Sequence, residues 1–387
     1  FQPGISARPP LRARLRRRAA AAQRGSSMPL QSAHVFASHI GHSGKTTLCF
    51  NMSCFYAKRN PDVSVLVMDL AEEGDLTKRL LGGVDAAKEK VDMVFGAVFR
   101  LIGDAATKTT GLTSWVFAND IDITTHAIRV SDHNANVPSN VFLVSSGAWP
   151  RKEEPLPDDR RRAICAKIRS SLERSSTTWK LFCDTDGDRR PSPFTMLGYG
   201  LCPQAIIPLH LSKADHERIE TMFGLLHEMR NEGEIETQVL MIVWNMVKST
   251  KDEPMVHNGF TLPFTASKVS LDILDACNTR IANLSRDPDF NGLFVHGGPE
   301  VPAHDFLQSS VAVMRNLADN VLKPAEELGL PFITMVDQLE ASGKKQMKFK
   351  SGPEGVEYVA KDDTINSVYD SVKVLSDKFE AMELDPR

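Results

Sequence analysis

The feature that most narrows the folds open to this chain is a nine-residue run, His39-Ile40-Gly41-His42-Ser43-Gly44-Lys45-Thr46-Thr47. It is set between a short apolar run at 33–38 and an amphipathic stretch at 46–59. A turn joining a strand to a helix aims successive backbone N–H groups, and the positive end of the helix, at one point in space. Gly41, Ser43 and Gly44 would form such a cradle. Lys45 would reach the terminal phosphates of a nucleotide, and the Thr46 hydroxyl would ligate Mg²⁺. The strict pattern GxxxxGK[ST] fails only at its first glycine, which is His39 here. Gly-Lys-Thr alone is common in proteins; its seat between strand and helix makes the signal specific.

The rest of the chain keeps the same rhythm. Ala33–Ser38, Ser64–Met68, Val141–Val144, Lys180–Cys183, Gln204–Pro208, Val239–Trp244 and Pro331–Met335 read as buried strands. Thr46–Arg59, Asp158–Ser176, Lys213–Arg230 and Ala303–Leu328 read as helices. Ile365, Val368, Tyr369, Val372, Leu375 and Phe379 make the packing stripe of a last one. Nearly continuous apolar strands alternating with helices predict an α/β fold, a mostly parallel sheet with helices on both faces. Ligands of such sheets lie beyond the carboxyl ends of the strands, where the loop at 39–46, Asp69 and Asp184 all fall. Residues 85–140 and 249–302 interrupt the rhythm and read as insertions in a single nucleotide-binding domain spanning 29–387.

Asp69 and Asp184 each close an apolar run. A carboxylate there can hold a Mg²⁺-bound water or cap the following turn; beside a phosphate loop, two such residues favour the metal, with Asp184 the better placed. The alternating aspartates from Asp184 to Asp188 also suggest calcium. The calcium loop needs Gly at its sixth position and Glu at its twelfth, and the chain has Arg189 and Thr195 there.

Charge limits the partners. The chain carries 46 basic and 49 acidic residues. Seven arginines and no acid fall within the first 27 residues, which leaves the remainder at about −10. A body so acidic is poorly suited to neutralising a phosphate backbone. The basic segment at 1–28 reads as disordered or as an organelle transit peptide, so a mitochondrion or plastid stands as the alternative to the cytoplasm. No uninterrupted apolar run reaches the length of a membrane span. Six cysteines without a CxxC pair, each in an apolar setting, read as reduced buried thiols.

Taken in order, these segments resemble ParA/MinD-type ATPases, the deviant-Walker branch of the P-loop NTPases. GKTTLCFNMS at 44–53, with Asn51 on the first helix, is similar to that family's first helix. VLVMDLAEEGDLTKRL at 65–80, WKLFCDTDGD at 179–188 and QAIIPLHLSKADHERI at 204–219 are similar to its later strands. Ile242-Val243-Trp244-Asn245 stands before its adenine pocket, and beyond 245 the likeness fades. The resemblance implies ATP and Mg²⁺ as cofactors, a homodimer closed around ATP, slow hydrolysis and the positioning of a protein cargo. By position it assigns phosphate and metal contacts to Lys45, Thr46 and Thr47. It gives catalytic roles to Lys45 and Asp69, metal-water contacts to Asp69 and Asp184, and an adenine contact to Asn245.

Two departures qualify what the resemblance implies. The family's signature lysine belongs at position 40, where the chain has Ile40, and its second aspartate belongs at 71, where the chain has Ala71. A cation supplied to a phosphoryl transition state is worth about 10³–10⁵ in rate in the case of arginine fingers. His42, Glu72, Glu73, Arg189 and Arg190 read as surface residues rather than substitutes. The expectation is ATP binding with weak or lost hydrolysis. Membrane docking is not expected, because the chain ends in the acid-rich DKFEAMELDPR. Lys344, Lys345, Lys348 and Lys350 around Phe349 read as a solvated loop, so nucleic acid is not an expected partner either. Two other readings stay open: a P-loop kinase of small molecules, and a nucleotide-free scaffold on the same fold.

Overall fold

The computed structural model describes residues 29–39, 41–88, 123–145, 158–187, 190–351 and 355–384. The expectations placed on 1–28, on Ile40 and Arg189, and on most of the 85–140 insertion lie outside them. The chain opens with β1 (Leu30–Phe36), α1 (Lys45–Arg59), β2 (Ser64–Asp69), α2 (Asp75–Leu80) and α3 (Val84–Lys88). There follow β3 (Ile128–Arg129), β4 (Val141–Ser145), α4 (Asp158–Glu173), β5 (Trp179–Asp184), α5 (Pro193–Leu201), β6 (Gln204–His210), α6 (Lys213–Asn231) and β7 (Gln238–Val247). Short strands β8 (Ser249–Lys251), β9 (Met255–His257), β10 (Phe260–Leu262) and β11 (Thr265–Ala266) lead to α7 (Lys268–Arg286), α8 (Ala303–Ser310) and β12 (Val311–Arg315). The last elements are α9 (Asp319–Glu327), α10 (Phe332–Ser342), the hairpin β13 (Gln346–Ser351) and β14 (Val356–Lys361), and α11 (Asp362–Leu384).

Eight strands form one sheet in the order β12-β7-β6-β1-β5-β2-β4-β3, parallel except at the two-residue edge strand β3. Side chains of a strand point alternately to its two faces, and the apolar runs are continuous because both faces are covered. Leu66 and Met68 join a core with Ile164 and Ile168 of α4, Met222 and Phe223 of α6, and Leu274 and Ile281 of α7. Val65 and Val67 join a second core with Leu48, Met52 and Phe55 of α1, Phe332 and Met335 of α10, and Ile365, Val368, Val372, Leu375 and Phe379 of α11. The α/β expectation therefore holds. Ser192, Ser212 and Ser267 start α5, α6 and α7, each accepting a hydrogen bond from the backbone N–H three residues on.

Two expected elements are corrected. Pro331–Met335 is not a strand but the start of α10, with Pro331 as its N-cap; five apolar residues cannot distinguish a strand from one buried turn of helix. The helix expected over Ala303–Leu328 is interrupted by β12, whose Val311, Ala312 and Val313 pair with Ile242, Val243 and Trp244 of β7. Within the 249–302 segment, β8–β11 form two small antiparallel pairs and α7 packs into the sheet's core. Phe349 is buried on β13, so it is not a stacking partner among the surrounding lysines. All six cysteines are free and buried. No helix among the described residues is long and apolar enough to cross a membrane.

Candidate functional site

The loop after β1 delivers its anion-binding geometry through backbone conformation. His42 has φ 59° and Gly44 φ 89°, left-handed values that turn neighbouring N–H groups toward a common concavity. Gly44 precedes α1, no side chain caps that helix, and its first turn holds no acid. A side chain at Gly44 is excluded twice over: the φ disfavours it, and a Cβ would stand 2.1 Å from Asn245 Nδ2. Asn245, at the end of β7, donates from Nδ2 to the Ser43 carbonyl at 3.0 Å and accepts the Met246 N–H at 2.8 Å. Both ends of its amide are therefore engaged in holding the loop.

Lys45 is 7% exposed. The segment after β5 comes close above it: a Cβ on Gly187 would lie 2.9 Å from both Lys45 Nζ and Gly41 Cα. That segment is tied sideways to the one after β2, because Glu72 N donates to Asp186 Oδ1 at 2.8 Å.

Asp69 and Asp184 are direct register partners on β2 and β5, and both are wholly buried. Asp69 is saturated: it accepts the Thr77 N–H at 2.7 Å, the Thr77 hydroxyl at 2.6 Å and the Ala71 N–H at 3.2 Å. Neither oxygen of Asp184 has a hydrogen bond of proper geometry. Burial, and then the charge of Asp69, push its carboxyl up; the nearby Thr46 hydroxyl, Lys45 and Arg79 oppose the shift. Asp69 is also raised by burial, against the hydrogen bonds from Thr77 and Ala71. Ser43 Oγ is likewise buried without a partner.

Buried polar groups without partners are rare and call for a missing ligand, ion or water. A Mg²⁺-bound water on Asp184, and a phosphate oxygen on Ser43, would satisfy those found here. Among the described residues no group of three or more His, Cys, Asp or Glu side chains could hold a metal by itself. Mg²⁺ commonly arrives with a nucleotide and keeps most of its waters.

The structure thus brings Gly41, Ser43, Gly44, Lys45, Thr46, Thr47, Asp69, Asp184 and Asn245 to one end of the sheet. It places Asp69 as an anchor for the 71–77 segment and Asn245 against the loop itself. Glu73 and Arg190 are exposed, as is His42. Sequence reasoning missed Thr77, Arg79 and Glu326. Arg79 reaches Thr47 at 2.8 Å and Glu326 at 2.6 Å. Thr77 and Arg79 both fall within the segment at 65–80 quoted for the resemblance, whereas Glu326, 247 positions beyond Arg79, had no local signal.

Residues 34–269 match the sequence model of the family described as the CobQ/CobB/MinD/ParA nucleotide binding domain. No curated protein matches the chain. Among solved structures, apo McdA from Cyanothece is 14% identical with a TM-score of 0.51, over 89% of this chain and 98% of its own. An ATP complex of a Cyanothece McdA variant is 16% identical with a TM-score of 0.50, over 84% of this chain and 99% of its own. At such identities the likeness is one of fold.

Proposed function

The chain belongs to the CobQ/CobB/MinD/ParA nucleotide-binding family, and on that footing we propose that it binds Mg²⁺·ATP at residues 41–47. Bound ATP would act as a switch for self-association and for holding a protein cargo, with little or no turnover. The observation that carries this reading is Asp184, a wholly buried carboxylate whose oxygens accept no hydrogen bond of proper geometry and which has only the nearby Thr46 hydroxyl, Lys45 and Arg79 to offset its charge. A group so costly to bury is explained by a cation that arrives with the ligand. The ATP held by the Cyanothece McdA variant supports the choice of nucleotide.

The loop N–H groups and Lys45 bind the phosphates and fix their orientation, while Thr46 and Asp184 would hold the ion, Asp184 through water. Mg²⁺, when bound, neutralises charge on the terminal phosphates. Asp69 holds the 71–77 segment in place, and that segment is joined through Glu72 and Asp186 to the one crossing Lys45. A change at the terminal phosphate therefore has a short route to two surface segments. Weak turnover is what the resemblance implies: Ala71 stands where the family it resembles has its second aspartate, and Ile40 where that family has its signature lysine.

Sedimentation velocity with and without Mg²⁺·ATP, run beside phosphate release, tests the proposal. The expected result is a dimer in ATP, a monomer in ADP or in Lys45→Ala, and barely measurable release. Robust Lys45-dependent release, or a monomer under every condition, would overturn the switch.

A further inference from the structure

Arg79 occupies an unusual place for a residue in a short helix after β2. Its Nη1 donates to Thr47 Oγ1 at 2.8 Å and its Nη2 to Glu326 Oε1 at 2.6 Å, and its side chain is only 13% exposed. A guanidinium has donors and no acceptor, so Thr47 Oγ1 must be the acceptor of that bond. The single proton of the Thr47 hydroxyl is thereby turned elsewhere, and among the described residues it is donated to no protein group. The Thr47 carbonyl is already taken by Asn51 Nδ2 at 2.9 Å. Glu326 lies at the end of α9, outside the matched 34–269 region, and it pins the arginine by a charge-assisted bond.

We propose that Arg79 is a positioning residue of the nucleotide site, orienting the Thr47 hydroxyl as a donor to a phosphate oxygen, with Glu326 of the C-terminal region holding the arginine in place. The inference rests on the nucleotide reading above. Its consequence is a second cation built into the site in cis, in a chain with none at position 40. The C-terminal region thereby acquires a direct hand in nucleotide affinity.

Affinity for Mg²⁺·ATP and Mg²⁺·ADP, measured by titration calorimetry on the full chain, tests this in wild type, Lys45→Ala, Arg79→Gln, Thr47→Val, Thr47→Ser, Glu326→Gln and the Arg79→Gln/Thr47→Val double variant. Melting of each without nucleotide controls for folding. The proposal expects about tenfold weaker binding in Arg79→Gln and in Thr47→Val, the scale of one hydrogen bond to a charged group. It also expects no further loss in the double variant, near-normal binding in Thr47→Ser and a smaller loss in Glu326→Gln. A merely structural arginine would give additive losses. Wild-type affinity in Arg79→Gln, or additive losses, would overturn the positioning role while leaving nucleotide binding intact. Absence of Lys45-dependent binding in wild type would instead overturn the nucleotide reading.

Discussion

Asp69 and Asp184 face each other across adjacent parallel strands, yet Asp69 accepts three hydrogen bonds while Asp184 accepts none of proper geometry. Sequence position makes them look alike, but the structure gives them different work. Asp69 shapes the segment that follows β2, and Asp184 is left open for a ligand.

Substituting each by Asn separates the two. Asp69→Asn turns one of the two acceptor oxygens into a donor, opposing either the Thr77 N–H or the Ala71 N–H, and stability without nucleotide should fall by about 1–3 kcal/mol. Asp184→Asn removes a buried charge that Thr46, Lys45 and Arg79 offset only in part, so it should leave that stability unchanged or raised while abolishing the Mg²⁺ dependence of nucleotide binding. Denaturant melts with and without Mg²⁺·ATP distinguish the two patterns; equal loss of stability in both would contradict the division of roles.

Asn245 should act through the loop. Asn245→Ala removes the donor to Ser43 O and the acceptor of Met246 N–H, at a cost of about 1–3 kcal/mol together with weaker nucleotide binding. Gly44→Ala should be worse for binding, since its methyl would overlap Asn245. If Gly44→Ala binds ATP as well as wild type does, the described loop geometry is not the binding one.

At the opposite end of the sheet the fully buried Lys180 pairs with Glu383 near the end of α11. Ser32 and His34 donate to the same carboxylate, and the Lys180 ammonium lies over the rings of Tyr56 and Phe379 at 4.7 Å. Removing one partner of a buried ion pair strands the other charge. Glu383→Ala should therefore cost about 3–5 kcal/mol, and adding Lys180→Met should recover most of it. Chemical denaturation of the two variants decides; a harmless Glu383→Ala would show that the last helix is held by its apolar stripe alone.

The same cluster sets an acid limb. Burial pushes the Glu383 carboxyl up, but His34 and Lys180 hold it down at about 2, against an ordinary 4.5. Burial, and then the charge of Lys180, also push the His34 pKa below its ordinary 6.5, while burial lowers that of Lys180 against the opposing charge of Glu383. A depressed carboxylate pKa stabilises the fold above its unfolded value and loses that contribution as pH falls through the folded one. Loss should begin gently below 6.5, where unfolded His34 takes a proton, and steepen between 4.5 and about 2. Melting temperature against pH should show that limb, flattened in Glu383→Ala.

The sheet, its polarity and the strand–loop–helix junction that carries GKTT were legible because they rest on local pattern, apolar strands between helices. Pro331–Met335 and Val311–Arg315 were misread because short apolar runs carry no decisive period. The links from Arg79 to Glu326 and from Lys180 to Glu383 join residues more than 200 positions apart. No spacing rule reaches so far, and the charged residues involved resemble ordinary surface residues until the sheet brings them inside. The contrast between Asp69 and Asp184 was hidden for a related reason, since it depends on Thr77 folding back onto one carboxylate and not the other.

Thermal unfolding of wild type beside Lys45→Ala tests most directly whether the loop at 41–47 binds Mg²⁺·ATP through Lys45. With ATP at 100 times its Kd, wild type should gain about 2.7 kcal/mol and Lys45→Ala almost nothing. Identical melting of wild type with and without Mg²⁺·ATP, or an equal gain in Lys45→Ala, would contradict the account.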